Sequence, residues 1–184
     1  MSDRWLSDEQ QRIWRSYIGV EHRLPTRLGR ELQATSGLSG AEYEVLVNLS
    51  ETPGGRLRPY QLGERIEWEQ SRLSHQLIRM ERRKLVAREE CAGDGRGSFV
   101  VLTARGRAAI EAAAPSHVDM VRKLVFDQLT PEEAAVFGRA CDKILRAIAE
   151  TACDASAETA CDASGDVPDS PECGRVAKRV PVDE

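Results

Sequence analysis

The sequence predicts a mainly α fold with a small β component (α+β), on three observations. Apolar residues recur at three- and four-residue intervals over several segments, aromatic residues are few, and one glycine-rich break separates two short β-prone runs. A chain of 184 residues is long enough for one domain with a good core, or for a small domain with appendages.

The first helix is expected from Asp8 to about Gln33, with Ser7 capping it and Asp8 and Glu9 near its positive end. Ile13, Trp14, Tyr17, Leu24, Leu28 and Leu32 mark its apolar side, and Pro25 should kink or split it. Ser39 and Glu42 form a capping-box pattern for a second helix, roughly Gly40 to Ser50. After a loop at Thr52-Pro-Gly-Gly, a short helix is expected over Arg58–Ile66. A basic helix follows from Glu69, its stripe of Leu73, Leu77 and Met80 spaced at i, i+4 and i+7. Leu85–Glu90 and Phe99–Leu102 read as strands joined by a glycine-rich turn with Arg96 at its tip. Two short helices, a tight turn and a hairpin in this order make a winged helix-turn-helix. About six helices and a two-stranded β-wing are therefore expected in all.

Beyond the hairpin, Thr103 caps a helix from Ala104 to about Phe126, which Pro115 should bend or break. Thr130-Pro-Glu-Glu then opens a final helix whose Val136, Phe137, Cys141, Ile144, Leu145 and Ile148 share one side. The flanking helices carry more apolar surface than a three-helix unit can cover, and burial against a second copy answers this by forming a two-fold dimer. The expected divisions are an N-terminal dimerisation helix (1–37), a winged lobe (38–103), C-terminal dimerisation helices (104–150) and a disordered acidic tail (151–184). In that tail Thr-Ala-Cys-Asp-Ala-Ser occurs twice before a run rich in Pro, Gly, Asp and Glu.

Charge distribution points to the partner. The net charge is −4, yet Arg56 to Arg107 holds 12 Lys or Arg against 7 Asp or Glu, a local +5. The stretch from Thr151 to Glu184 holds 3 against 8. Phosphates respond to the local field, so the basic segment suits DNA. On the polar face of its helix, Arg72 and Arg79 are candidates for phosphate or guanine, and Gln70, Ser71, Ser74 and His75 for bases or backbone. Arg96 suits a narrow minor groove, with Asp94 to orient it. Arg82, Arg83 and Lys84 follow this surface and are read as phosphate neighbours or solvated charges.

Other classes find little support. No run of 18 apolar residues and no signal-peptide core exist, so no membrane role is expected and the expected place is the cytoplasm. Five cysteines without paired short spacings make neither a disulfide framework nor a zinc site. The three histidines, His22, His75 and His117, stand in different expected helices with no metal or nucleophile motif beside them, and no glycine-rich phosphate loop is present. No enzyme activity, metal or cofactor is therefore expected.

The residues also carry a family resemblance over roughly Asp8 to Glu150. Asp94-x-Arg96-x-x-x-Val100-x-Leu102-Thr103 resembles the wing signature of the MarR family of bacterial transcription regulators. Glu69, Ser71, Ser74, Leu77, Met80 and Glu81 resemble its recognition-helix pattern. Lys84 departs from the pattern where the family commonly has glycine, and the tail has no counterpart. The resemblance implies a homodimer on a short inverted repeat of double-stranded DNA, with recognition helices in successive major grooves and wings toward minor grooves. It further implies a small aromatic or anionic effector bound between the dimerisation helices and the DNA-binding lobe. Trp14, Tyr17, His22 and His117 are the candidates to line that crevice. The expected function is a ligand-responsive repressor. The alternatives are a thiol-based redox regulator, for which Cys91 in the wing turn is the candidate thiol, and a winged-helix module for protein or RNA.

Overall fold

In a computed structural model of the chain, the described residues are 5–90 and 98–163, with side chains described in 5–90 and 98–151. The chain divides into two units, Met1–Thr130 and Pro131–Glu184.

The first unit opens with α1 (Asp8–Ser36). Ser7 Oγ accepts the Gln10 N–H at 3.2 Å while Gln10 Oε1 accepts the Ser7 N–H at 2.9 Å, a reciprocal cap that fixes the start. Gly37 ends the helix in the left-handed region, φ 67°. Of the two outcomes expected at Pro25, a split is excluded: α1 runs through it as one helix. Beside the proline, Thr26 Oγ1 donates to the His22 carbonyl at 2.9 Å.

The lobe that follows consists of α2 (Gly40–Ser50), β1 (Arg56–Leu57), α3 (Pro59–Ile66), α4 (Gln70–Arg82), β2 (Val86–Glu90) and β3 (Ser98–Leu102). Its core is built on Leu38, Val45, Leu46, Leu49, Leu62, Leu73, Leu77, Met80 and Val100, all essentially without solvent exposure. The three strands pair antiparallel in the order β1-β3-β2, with Val86 opposite Leu102 and Arg56 opposite Val101. The expected two-stranded wing therefore gains a third strand. Gly54 and Gly55, both at positive φ, turn the chain, and Pro59 holds Arg58 extended, which draws Arg56 and Leu57 alongside β3. Two residues are too few to show a strand period. Cys91, Asp94 and Arg96 lie outside the described residues.

The helix α5 (Ala104–Leu124) packs on α1 and α2, burying Ile110 and Ala113. Pro115 does not break it. Thr103 ties its start to the end of the helix-turn-helix: Oγ1 accepts the Gly106 N–H at 2.9 Å and lies 2.7 Å from the Lys84 carbonyl, to which it donates. Gly106 is required here, because an added Cβ would fall 2.0 Å from the Leu85 carbonyl oxygen.

The second unit is α6 (Pro131–Ala163). It continues past Glu150, where the sequence pattern suggested an end. Residues 151–163 contain five alanines and neither glycine nor proline, so nothing in them breaks the helix. Val136, Phe137, Ile144, Leu145 and Ile148 are each half exposed or more and recur on one side of the helix.

Candidate nucleic-acid interface

The turn between α3 and α4 sets the surface. Glu67 adopts φ 53°, ψ 39°, and the Trp68 N–H reaches back to the Gly63 carbonyl at 3.0 Å, closing a three-residue connection. Gly63 permits the approach: a Cβ there would lie 2.7 Å from Gln70 Nε2 and 3.3 Å from the Trp68 carbonyl oxygen. With Leu73, Leu77 and Met80 anchored in the core, helical periodicity turns the basic face outward.

Of the residues expected to read DNA, Gln70, Ser71, Arg72, His75 and Arg79 are exposed, and Ser74 is half-buried at the edge of the same face. The Arg72 guanidinium lies over the Trp68 ring, 4.0 Å from its centre. Trp68 is itself buried, so the flat cation rests on a fixed support and loses less freedom on binding. Glu44 on α2 also interacts with Arg72. Burial raises the Glu44 carboxyl above its ordinary pKa, and the arginine opposes that shift. Arg79 is bonded to Gln76, which is buried among the leucines. Glu69, the residue before α4, makes no side-chain capping bond, and the first turn holds no acid. The amino end of α4 therefore keeps backbone N–H groups without a side-chain cap.

Arg83 stays partly exposed to solvent but is also paired within the protein. Its Nη1 contacts both oxygens of the buried Glu42 at 2.6 and 2.7 Å, and Nη2 donates to the Gly37 carbonyl at 3.0 Å. Glu42 in turn caps α2 by accepting the Ser39 N–H at 2.9 Å. The pair locks the end of α4 to the junction of α1 and α2, across 41 residues of chain that no local pattern spans. Arg88 closes a similar tie to Glu81 at 2.8 Å, fixing β2 to the end of α4. The role of Trp68 had a signal in sequence, since it stands four residues before Arg72; those of Gln76 and Arg83 depend on packing alone.

The four residues proposed for an effector crevice fall into separate settings. Trp14 and Tyr17 stack with ring centres 5.4 Å apart on an exposed side of α1, and His22 is exposed on the same helix. His117 on α5 instead meets Tyr43 of α2, ring centres 4.3 Å apart. Its Nδ1 is buried without a hydrogen-bond partner, and burial lowers its pKa from the ordinary 6.5. No described helix is long and apolar enough to cross a membrane.

A buried-striped, basic-faced second helix, a three-residue turn and an antiparallel wing define a winged helix-turn-helix protein. Comparisons with known proteins narrow the class. Residues 36–97 match the model of the MarR family. The chain is 33% identical over 108 residues to the transcriptional regulator HosA of Escherichia coli, covering 59% of this chain and 78% of that one. Among solved structures it is similar to AbsC of Streptomyces coelicolor, a MarR family transcriptional regulator, with 41% identity and TM-score 0.75, covering 80% of this chain and 99% of AbsC. It is likewise similar to Sco3205 of the same organism, a MarR family regulator solved in complex with DNA, with 42% identity and TM-score 0.73, covering 80% of this chain and 91% of Sco3205. The chain belongs to the MarR family of transcriptional regulators.

Proposed function

We propose that this DNA-binding transcription regulator acts in the cytoplasm as a homodimer on an inverted repeat, represses transcription when bound, and is released by a small aromatic or anionic effector. The observation that carries the reading is the exposed face of α4, with Arg72 held on Trp68 and an uncapped amino end. A helix in this setting enters the major groove, where Arg72 is assigned to guanine or phosphate, and Gln70, Ser71, Ser74, His75 and Arg79 to base edges and backbone. Asp94 and Arg96 keep the wing roles that the sequence suggests. No catalytic role is assigned to any residue.

Dimerisation is supported by the exposed apolar residues Ile13, Trp14, Tyr17 and Val20 in the first half of α1 and by the exposed apolar side of α6. The effector proposal is supported by the buried, unpartnered Nδ1 of His117 beside Tyr43, a polar atom able to bind a ligand between α2 and α5. Trp14, Tyr17 and His22 remain the other candidates. An effector matters only if it favours one dimer geometry over another.

Selection of bound fragments from native genomic DNA by the purified protein tests the reading. Enrichment of a short inverted repeat bound by one dimer is expected, and small aromatic acids such as benzoate added to that complex should weaken it. Enrichment of no common sequence would remove operator recognition; an enriched operator indifferent to such compounds would remove the effector class alone.

A further inference from the structure

The carboxyl end of α4 is held from two sides, and the holders are the two helices that flank the winged lobe in sequence. On one side Arg83, the residue that closes α4, reaches the end of α1. Its Nη2 donates to the Gly37 carbonyl at 3.0 Å, while Nη1 spans both oxygens of Glu42 at 2.6 and 2.7 Å. On the other side, the Lys84 carbonyl accepts Thr103 Oγ1 at 2.7 Å. Gly37 ends α1, Thr103 caps α5, and α1 and α5 pack on each other. Two consecutive residues thus bond the reading helix to both helices outside the lobe.

The partners of Arg83 are themselves fixed. Glu42 is buried, and it accepts the Ser39 N–H at 2.9 Å and Ser39 Oγ at 3.1 Å at the start of α2. A buried carboxylate left without its cation is costly, so the pair is kept closed. Only Leu38 separates Gly37 from Ser39, and Gly37, at φ 67°, has the freest backbone of the connection between α1 and the lobe. Arg83 spans that connection with a planar fork whose two ends are both engaged, which fixes an angle as well as a distance. A lysine at the same place brings one ammonium on a flexible stem, which pairs with Glu42 without fixing an angle.

We propose that Arg83 is a positioning residue for operator binding: through Glu42 and Gly37 it sets the angle of α4 to α1, and with it the separation of the two reading helices in a dimer. This rests on the dimeric DNA-binding reading, in which the exposed residues Ile13, Trp14, Tyr17 and Val20 of α1 meet a second copy. It assigns Arg83 to the spacing of half-sites rather than to bases or phosphates. Each base pair added between half-sites moves them apart by about 3.4 Å and turns one against the other by about 34°, so a small change in the angle of α4 reads out as a change in spacing preference.

The test compares the full-length wild type with Arg83→Lys, which keeps the charge and loses the fork, and with Glu42→Gln, which loses the charge and keeps an acceptor for the cap of α2. Each is titrated with the genome-selected operator, with duplexes one base pair longer or shorter between the half-sites, and with duplexes substituted at one base of each half-site. Wild type is expected to prefer the native spacing by about ten-fold or more. Both variants should lower that preference several-fold, with the loss at substituted bases unchanged. A merely structural role, or a phosphate contact, weakens binding to every duplex by one factor and leaves the spacing ratio unmoved; that result would overturn the proposal. An altered base preference would also overturn it, by making Arg83 part of the reading surface. So would failure of Arg83→Lys to fold, by making the tie a condition of folding rather than of angle. Wild-type preference for the operator that ignores spacing would remove the dimer reading, and no wild-type preference at all would remove the DNA reading; the proposal falls with either.

Discussion

At the residue scale, function rests on side chains that the fold holds before any partner arrives. The exposed Arg72 lies over buried Trp68 and fills no core space, so its replacement by alanine should leave thermal stability near wild type. The same change should remove about 1–3 kcal/mol of preference for the operator over scrambled duplex, read by competition titration. Lys84 holds φ 58°, a conformation that costs a side-chain-bearing residue about 1–2 kcal/mol and glycine almost nothing. Lys84→Gly is accordingly expected to hold or raise the urea midpoint, and a marked fall would show that the lysine side chain repays its strain. This departure from the family pattern was visible in sequence, and the backbone shows why glycine suits the position. The ion pair of Glu42 with Arg83 was not visible, because nothing local distinguishes that arginine from the basic residues beside it. Only the packing of α4 against the junction of α1 and α2 selects it.

At the scale of elements, the legible parts are those with a period or a cap. The stripe of Leu73, Leu77 and Met80 was readable as a buried face because the spacing follows the helix, and Ser7, Ser39 and Thr103 mark helix starts that the structure keeps. The two-residue β1 and the continuity of α1 and α5 through proline depend on neighbours, so no local pattern settles them. The wing is fastened to α5 at Gly106. In Gly106→Ala the new methyl meets the Leu85 carbonyl oxygen and Leu102 Cδ1 (2.8 Å), and the backbone must move. Destabilisation of about 1–3 kcal/mol or more is expected in denaturant unfolding, with weakened DNA binding as the wing shifts.

His117 links α5 to α2 through Tyr43, and its pKa is lowered by burial. The unfolded chain then binds the proton more readily than the folded one between the depressed pKa and 6.5, so stability falls as pH drops through that window. Melting temperature should decline on acidification from pH 7 toward 5.5, and His117→Phe should flatten the decline. Identical pH profiles for the two proteins would mean that the imidazole does not couple these helices to protonation.

At the scale of the whole molecule, the apolar sides of α1 and α6 were legible as surplus hydrophobic surface; in the isolated chain that of α6 and the Ile13–Val20 part of α1 stay exposed, while Leu32 of α1 is buried in the core. If a second copy covers them, Ile144→Asp with Leu145→Asp should convert a dimer to monomer in sedimentation and abolish high-affinity binding to an inverted repeat. Loss of the dimer with operator affinity retained would mean that one lobe suffices. The most direct test of the account is a paired titration of the genome-selected operator and its scrambled counterpart by wild-type and Arg72→Ala protein at matched salt. The account predicts strong wild-type preference for the operator and a roughly ten-fold or greater loss of that preference in the variant, with non-specific affinity changed far less. Equal preference in the two proteins would contradict the assignment of α4 and its Trp68-supported arginine as the surface that reads DNA.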